Sequence, residues 1–175
     1  RPRRTRSRPG RSPAARGAAS RTVDQVAPDL PERERARLGA MWAFRARGEH
    51  ETSAHYEDLA RRLSDAGPPG DFATRVAAAA ADEARHRDVC AAMAAQLGHP
   101  PIDLSPRPLP RIAPHLLQGG ARLSYEMVAL FCVTESINAT LLLRSWQQAT
   151  DAATRGALHE LLADEVQHSQ IGWGY

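Results

Sequence analysis

Glutamate and histidine recur in this chain at a spacing suited to metal binding. The phrase Asp82-Glu83-Ala84-Arg85-His86 returns 82 residues later as Asp164-Glu165-Val166-Gln167-His168. Both copies lie in helix-patterned stretches, where positions three apart share a face, so each aims one carboxylate and one imidazole the same way. Two such helices facing each other would bring two carboxylates and two imidazoles to one interior point. A pair of iron or manganese ions is held in this manner inside helical bundles. Ten Glu and seven His in 175 residues predict roughly 0.4 Glu-x-x-His matches by chance. Two matches, each preceded by Asp, therefore outweigh an accidental pair on a helix surface.

The elements that must position these residues are helical. Four stretches with helical periodicity cover about 31–63, 71–97, 118–148 and 151–172, and no strand pattern interrupts them. Asp29 can cap the first helix, with Pro31 and Glu32 suited to its first turn, and Asp71 caps the second. Gly67-Pro68-Pro69-Gly70 ends the first helix, and Gly98 with Pro100-Pro101 ends the second. The first and third links are short, which makes helices 1–2 and 3–4 antiparallel hairpins. The proline-rich link at 98–117 is long enough to traverse a bundle, since about 20 residues reach roughly 60 Å when extended. The expected fold is all-α: a four-helix bundle of two antiparallel hairpins joined by a long crossover.

Seven-residue spacing nearly repeats a helix face, and it places one Glu in an apolar stripe on every helix. The stripes are Trp42-Glu49-Tyr56-Leu63, Val76-Glu83-Cys90-Leu97, Val128-Glu135-Leu142 and Leu158-Glu165, with His86 and His168 on the adjoining rows. Glu49 is preferred to Glu51, which points about 200° away onto a mixed face. Buried carboxylates need a common compensation. No Lys or Arg is evident on these stripes, and four carboxylates against two divalent ions balance to zero. Glu57, Glu126 and Glu160 read as solvated, and His50, His55, His99, His115 and His159 read as surface or loop residues. Tyr56 and Trp42 are aromatic core that could also pass an electron to the ligand level.

Composition sets outer limits. All 23 basic residues are Arg, and eight of them lie in residues 1–22 without a single acid. The remaining residues 23–175 carry 15 Arg against 20 acids, a net of −5. The segment 1–28 is therefore expected to be a disordered Arg-rich tail, available to an acidic partner, and 29–175 a single folded domain. No run of 18 uninterrupted apolar residues exists, so no transmembrane segment is expected. The expected compartment is the cytoplasm, with an upstream signal left open by the lack of an initiator Met. Cys90 and Cys132 fall on apolar faces as free thiols. Without a Cys-x-x-Cys there is no rubredoxin-type centre or zinc ribbon.

Over about 38–175 the chain resembles the ferritin-like superfamily of di-iron carboxylate proteins, in particular small bacterial ferritin-like and rubrerythrin-like members. The residues that carry the likeness are Glu49, Glu83-x-x-His86, Glu135 and Glu165-x-x-His168. The segment Trp42…Glu49-His50-Glu51-Thr52…Tyr56-Glu57-Asp58-Leu59 also resembles the first helix of those small proteins. The resemblance implies that Glu83 and Glu165 bridge two metals, with Glu49 and His86 terminal on one and Glu135 and His168 on the other. Asp82 and Asp164 would be outer-sphere acids that orient the histidines, with a surface ion pair to Arg85 or Arg87 as their alternative role. The cofactors implied are two iron ions, with manganese as the alternative. The activity implied is an oxidase or oxygenase reacting with O2 or peroxide, drawing electrons from Fe(II) or an external reductant. Two other readings stand beside it: an oligomeric iron-storage ferroxidase, and a bundle that metal merely stabilises. A homodimer or larger assembly suits any of these.

Overall fold

Alanine, leucine and arginine fill the stretches between the proline and glycine breaks, and these good helix formers fold as helices. The computed structural model describes residues 30–67 and 70–175, and among them there is helix but no strand. The helices are α1 (Glu32–Ala66), α2 (Phe72–Gln96), α3 (Gly119–Gln148) and α4 (Ala152–Gly174). The Arg-rich segment 1–28 and the Asp29 cap lie outside the described residues.

Local chemistry explains two of the helix ends. α1 runs one turn past the expected stop, to Gly67, whose φ of 61° lets its N–H return to the Leu63 carbonyl. Asp151 caps α4 by accepting from the Thr154 N–H at 2.8 Å. Asp71 occupies the cap position of α2 but makes no side-chain capping bond, contrary to expectation.

Contacts between helices fix their directions. Gly39 on α1 faces Leu97, and the Ser53 hydroxyl donates to the Ala80 carbonyl on α2 at 2.9 Å. Asn138 on α3 reaches Glu165 on α4, while Trp146 meets Arg155. Arg45 pairs across to Asn138 and Arg62 to Glu126; Arg85 meets Glu160 and His168 meets Asp82. In every set a rising number on one helix meets a falling number on the other, so these neighbours run antiparallel. The segment between α2 and α3 has no regular structure.

Two apolar clusters form the core. One gathers Trp42, Ala46, Cys90, Leu97, Leu142, Leu158 and Leu161; the other gathers Tyr56, Leu59, Leu63, Val76, Leu123, Met127, Phe131 and Ile171. On each helix a Glu sits between its two contributions: Glu49, Glu83, Glu135 and Glu165. The core is thus interrupted at one level by a polar layer that both clusters seal.

α3 departs from the expected stripe. Val128–Thr134 forms a π-helical turn between the α-helical pieces Gly119–Met127 and Glu135–Gln148. Through its wider turn, a spacing of four holds one face inward, and Leu123, Met127, Phe131 and Glu135 are all buried. Val128, expected on the Glu135 stripe, is instead half exposed. α4 closes tightly on this turn: a Cβ added at Gly172 would lie 2.7 Å from the Cys132 backbone nitrogen.

α3 also qualifies the absence of a membrane span. Its polar residues break any uninterrupted apolar run, yet by length and composition alone this 30-residue helix could cross a membrane, and only a third of its most apolar stretch is buried. Its inner face carries Glu126 and Glu135, both packed against other helices.

Candidate metal centre

The polar layer brings all six expected ligands together. Glu49, Glu83, His86, Glu135, Glu165 and His168 are each 5% exposed or less. They divide into two overlapping sets, Glu49-Glu83-His86-Glu165 and Glu83-Glu135-Glu165-His168. Within each set the donor atoms lie within 4.8 Å of one another. Glu83 and Glu165 belong to both sets, so the two helices bearing Glu-x-x-His supply the shared carboxylates.

The histidines present one nitrogen inward and one outward. His86 Nδ1 lies 3.4 Å from Glu83 and 3.8 Å from Glu165; His168 Nδ1 lies 3.1 Å from Glu83 and 3.4 Å from Glu165. Their Nε2 atoms point to the opposite motif. His86 meets Asp164 at 3.0 Å, and His168 meets Asp82 at 3.3 Å. Each motif aspartate therefore orients the histidine of the other motif. Arg85 joins the pair from outside, 2.7 Å from Asp82 and 3.1 Å from Asp164. Both roles weighed for these aspartates are present together, and Arg87 is engaged by Asp88 instead.

Electrostatics shows how crowded the layer is. Burial drives the Glu49 carboxyl up to about 8; the Arg45 charge opposes this, while Glu83 and Glu165 reinforce it. Burial likewise drives Glu135 to about 10, aided by the neighbouring Glu165. Burial also pushes Glu83 upward, but the adjoining His168 and His86 outweigh it and hold Glu83 at about 2. His168 rises to about 11 because Glu165 and Glu83 overcome its desolvation. Carboxylates this close cannot all be ionised unless cations lie among them.

Donors without partners point inward. Both oxygens of Glu83, Oε2 of Glu165 and Nδ1 of both histidines are buried and make no hydrogen bond. Buried polar atoms normally find partners, so five unmatched atoms facing one interior mark a place for another group. Oxygen and imidazole donors in this number fit a pair of divalent transition ions.

Several participants escaped sequence reasoning. Arg45, four residues before Glu49, places Nε 2.9 Å from Glu49 and Nη2 3.6 Å from Glu165, correcting the expectation that no arginine shares this face. The signal was the i,i+4 relation itself. Asn138, three residues after Glu135, donates to Glu165 at 2.6 Å and accepts from Arg45 at 2.9 Å. Glu126, expected to be solvated, is buried between Arg62 at 2.5 Å and Arg122 at 2.8 Å. Two arginines from different helices make that burial affordable. Tyr56 is fully buried, stacks on Phe131 at 4.4 Å and donates its hydroxyl hydrogen to Glu135. Trp42 is buried in the apolar cluster that holds Cys90, Leu142 and Leu161. No protein-family model, curated protein or solved structure matches this chain.

Proposed function

We propose that this chain is a ferritin-like dinuclear metal protein, with iron as the resident metal and manganese as the alternative, acting as an oxidase or oxygenase on O2 or peroxide. The observation that carries the reading is the pair of overlapping four-residue donor sets sharing Glu83 and Glu165. Antiparallel contacts within and between the helix pairs, with the irregular segment linking α2 to α3, support the two-hairpin ferritin-like connectivity. In this reading Glu83 and Glu165 would be shared by the two ions, Glu49 and His86 would complete one ion's donors, and Glu135 and His168 would complete the other's. When bound, two iron ions would supply the electrons that reduce O2 or peroxide.

The chain's own residues do the rest. Asp164 and Asp82 accept the Nε2 hydrogens of His86 and His168, fixing the tautomers that present Nδ1 inward. Arg85 locks both aspartates in place. Tyr56 holds a hydroxyl proton on Glu135 and steers that carboxylate. The flanking apolar clusters keep bulk water from the layer.

Metal analysis of the purified and reconstituted chain tests the proposal. The expected result is about two iron or manganese ions per chain, lost in the double variant Glu83→Ala/Glu165→Ala. Retention of metal by that double variant would sink the bridging assignment. Arg45 supports a second reading, in which the layer is a metal-free ion-paired core, because it already supplies one cation to Glu49 and Glu165. That reading gains if reconstituted protein takes up no iron or manganese.

A further inference from the structure

An open groove of about 720 Å³ runs between α1 and α3 and ends against the polar layer. On α1 it extends from Ala40 to Thr52, about 18 Å at 1.5 Å per residue. Its walls are apolar and unusually exposed: Met41 is 66% exposed, Phe44 81%, Ile137 56% and Leu141 58%. Such a contiguous apolar surface around a concave site marks binding more often than chance exposure. Its floor is different in kind, made by Arg45, Glu49 and Asn138. An apolar trough with a cation at its base fits a molecule with an apolar body and a negative head.

The sign of the head follows from charge counting, and it rests on the dinuclear reading above. Without metal, the Arg45 guanidinium lies 2.9 Å from Glu49 and 3.6 Å from Glu165. Two divalent ions would formally neutralise the four glutamates, leaving Arg45 with the neutral amide oxygen of Asn138 as its close partner. A partly buried cation without a counter-charge is costly. A ligand carboxylate restores the balance and matches the guanidinium fork. A cationic head would be repelled, and a neutral head would leave the charge unpaired. A second carboxylate would have to sit among Phe44, Ile137 and Leu141.

We propose that the α1/α3 groove binds a small apolar monocarboxylate, its body along Met41, Phe44, Ile137 and Leu141 and its head on Arg45. The metal pair and the ligand then favour each other, and by linkage the coupling is the same in both directions.

The full-length chain, loaded with Mn(II) so that binding is read without turnover, can be titrated calorimetrically with dodecanoate, dodecanol and dodecylamine below their micellar concentrations. Dodecanoate should bind about tenfold more tightly than the alcohol, and about tenfold more tightly to loaded than to metal-free protein. Arg45→Gln should bring the acid down to the alcohol's affinity. Phe44→Gln, at an exposed wall position, should weaken acid and alcohol alike while leaving the Mn(II) content unchanged. Equal affinity for acid and alcohol would overturn the proposal. So would an acid preference that survives Arg45→Gln, since the head would then lie elsewhere. A native mass of two chains that Phe44→Gln returns to one would mean that a second copy fills the groove, which also overturns it. Failure of the chain to take up metal sinks the dinuclear reading, whereas full uptake with no acid preference sinks the groove assignment alone; a chain with neither loses both.

Discussion

Arg45 changes what the four buried glutamates mean. Its guanidinium stands among carboxylates that would otherwise await two divalent ions, so it serves as a resident counter-cation. Removing it should have opposite effects on the two states of the site. Arg45→Met should lower the melting temperature of the metal-free protein, because Glu49 and Glu165 lose their cation. The same change should tighten Mn(II) binding by about tenfold, because a competing positive charge a few ångströms away is gone. Calorimetric Mn(II) titration beside thermal denaturation checks both directions, and a weaker Mn(II) affinity would show that Arg45 supports the ligands instead of competing with the metal. The aspartates act differently, since they touch the outward nitrogens of the histidines. Asp164→Asn should free His86 to adopt the wrong tautomer and weaken Mn(II) binding by about 10–100-fold, with little change in fold.

At the scale of the helices, the site was legible wherever the backbone kept its ordinary period. Glu49, Glu83, Glu165 and both histidines lie where 3.6-residue geometry puts them, and Leu63, Val76, Leu97 and Leu158 share their buried faces. Glu135 is also inside, but its neighbour Val128 is not, because the π turn widens the helix between them. No residue type in Val128–Thr134 announces that turn; its partner on α4 comes closer to doing so. Gly172 lets the α4 backbone approach Phe131 and Cys132 so closely that even a methyl group lacks room, with 2.7 Å to the Cys132 nitrogen and sulfur. Gly172→Ala should therefore force α4 away from the turn and destabilise the protein by about 1–3 kcal/mol. Glu135 and His168 would part with it, so thermal denaturation and metal affinity should fall together. An unchanged melting temperature would mean that the turn yields freely. Arg45, Asn138 and the Glu126 pairings were less legible for another reason: contacts across helices depend on azimuth and depth, which a single chain's periodicity fixes only loosely.

For the molecule as a whole, the polar layer ties stability to protons, and on the proposed reading a bound metal would act in the opposing direction. Glu49 and Glu135 rise on folding from about 4.5 to about 8 and about 10, and His168 rises from 6.5 to about 11. A group raised in this way binds a proton in the folded protein that the unfolded chain has already released. Its stabilisation is complete below the unfolded value and is lost as pH climbs through the folded one. Glu83 has the other sign: held at about 2, it contributes fully above 4.5 and loses that contribution only in acid. Metal-free protein should therefore be most stable near pH 5 and weaken steadily towards pH 10. On the proposed dinuclear reading, metal binding would require these same groups without their protons, so it should release protons and strengthen as pH rises. Between pH 6 and 9 the melting temperature of metal-free protein should drop by on the order of 20 °C. The gap between Mn(II)-loaded and metal-free protein should widen over the same interval. Arg45→Met should steepen the decline of the metal-free protein, since the Arg45 charge is what opposes protonation of Glu49. Melting curves at constant ionic strength, with and without chelator, check all three. A metal-free protein equally stable at pH 6 and 9 would mean that the layer holds no excess protons, and that its glutamates are compensated by fixed cations alone.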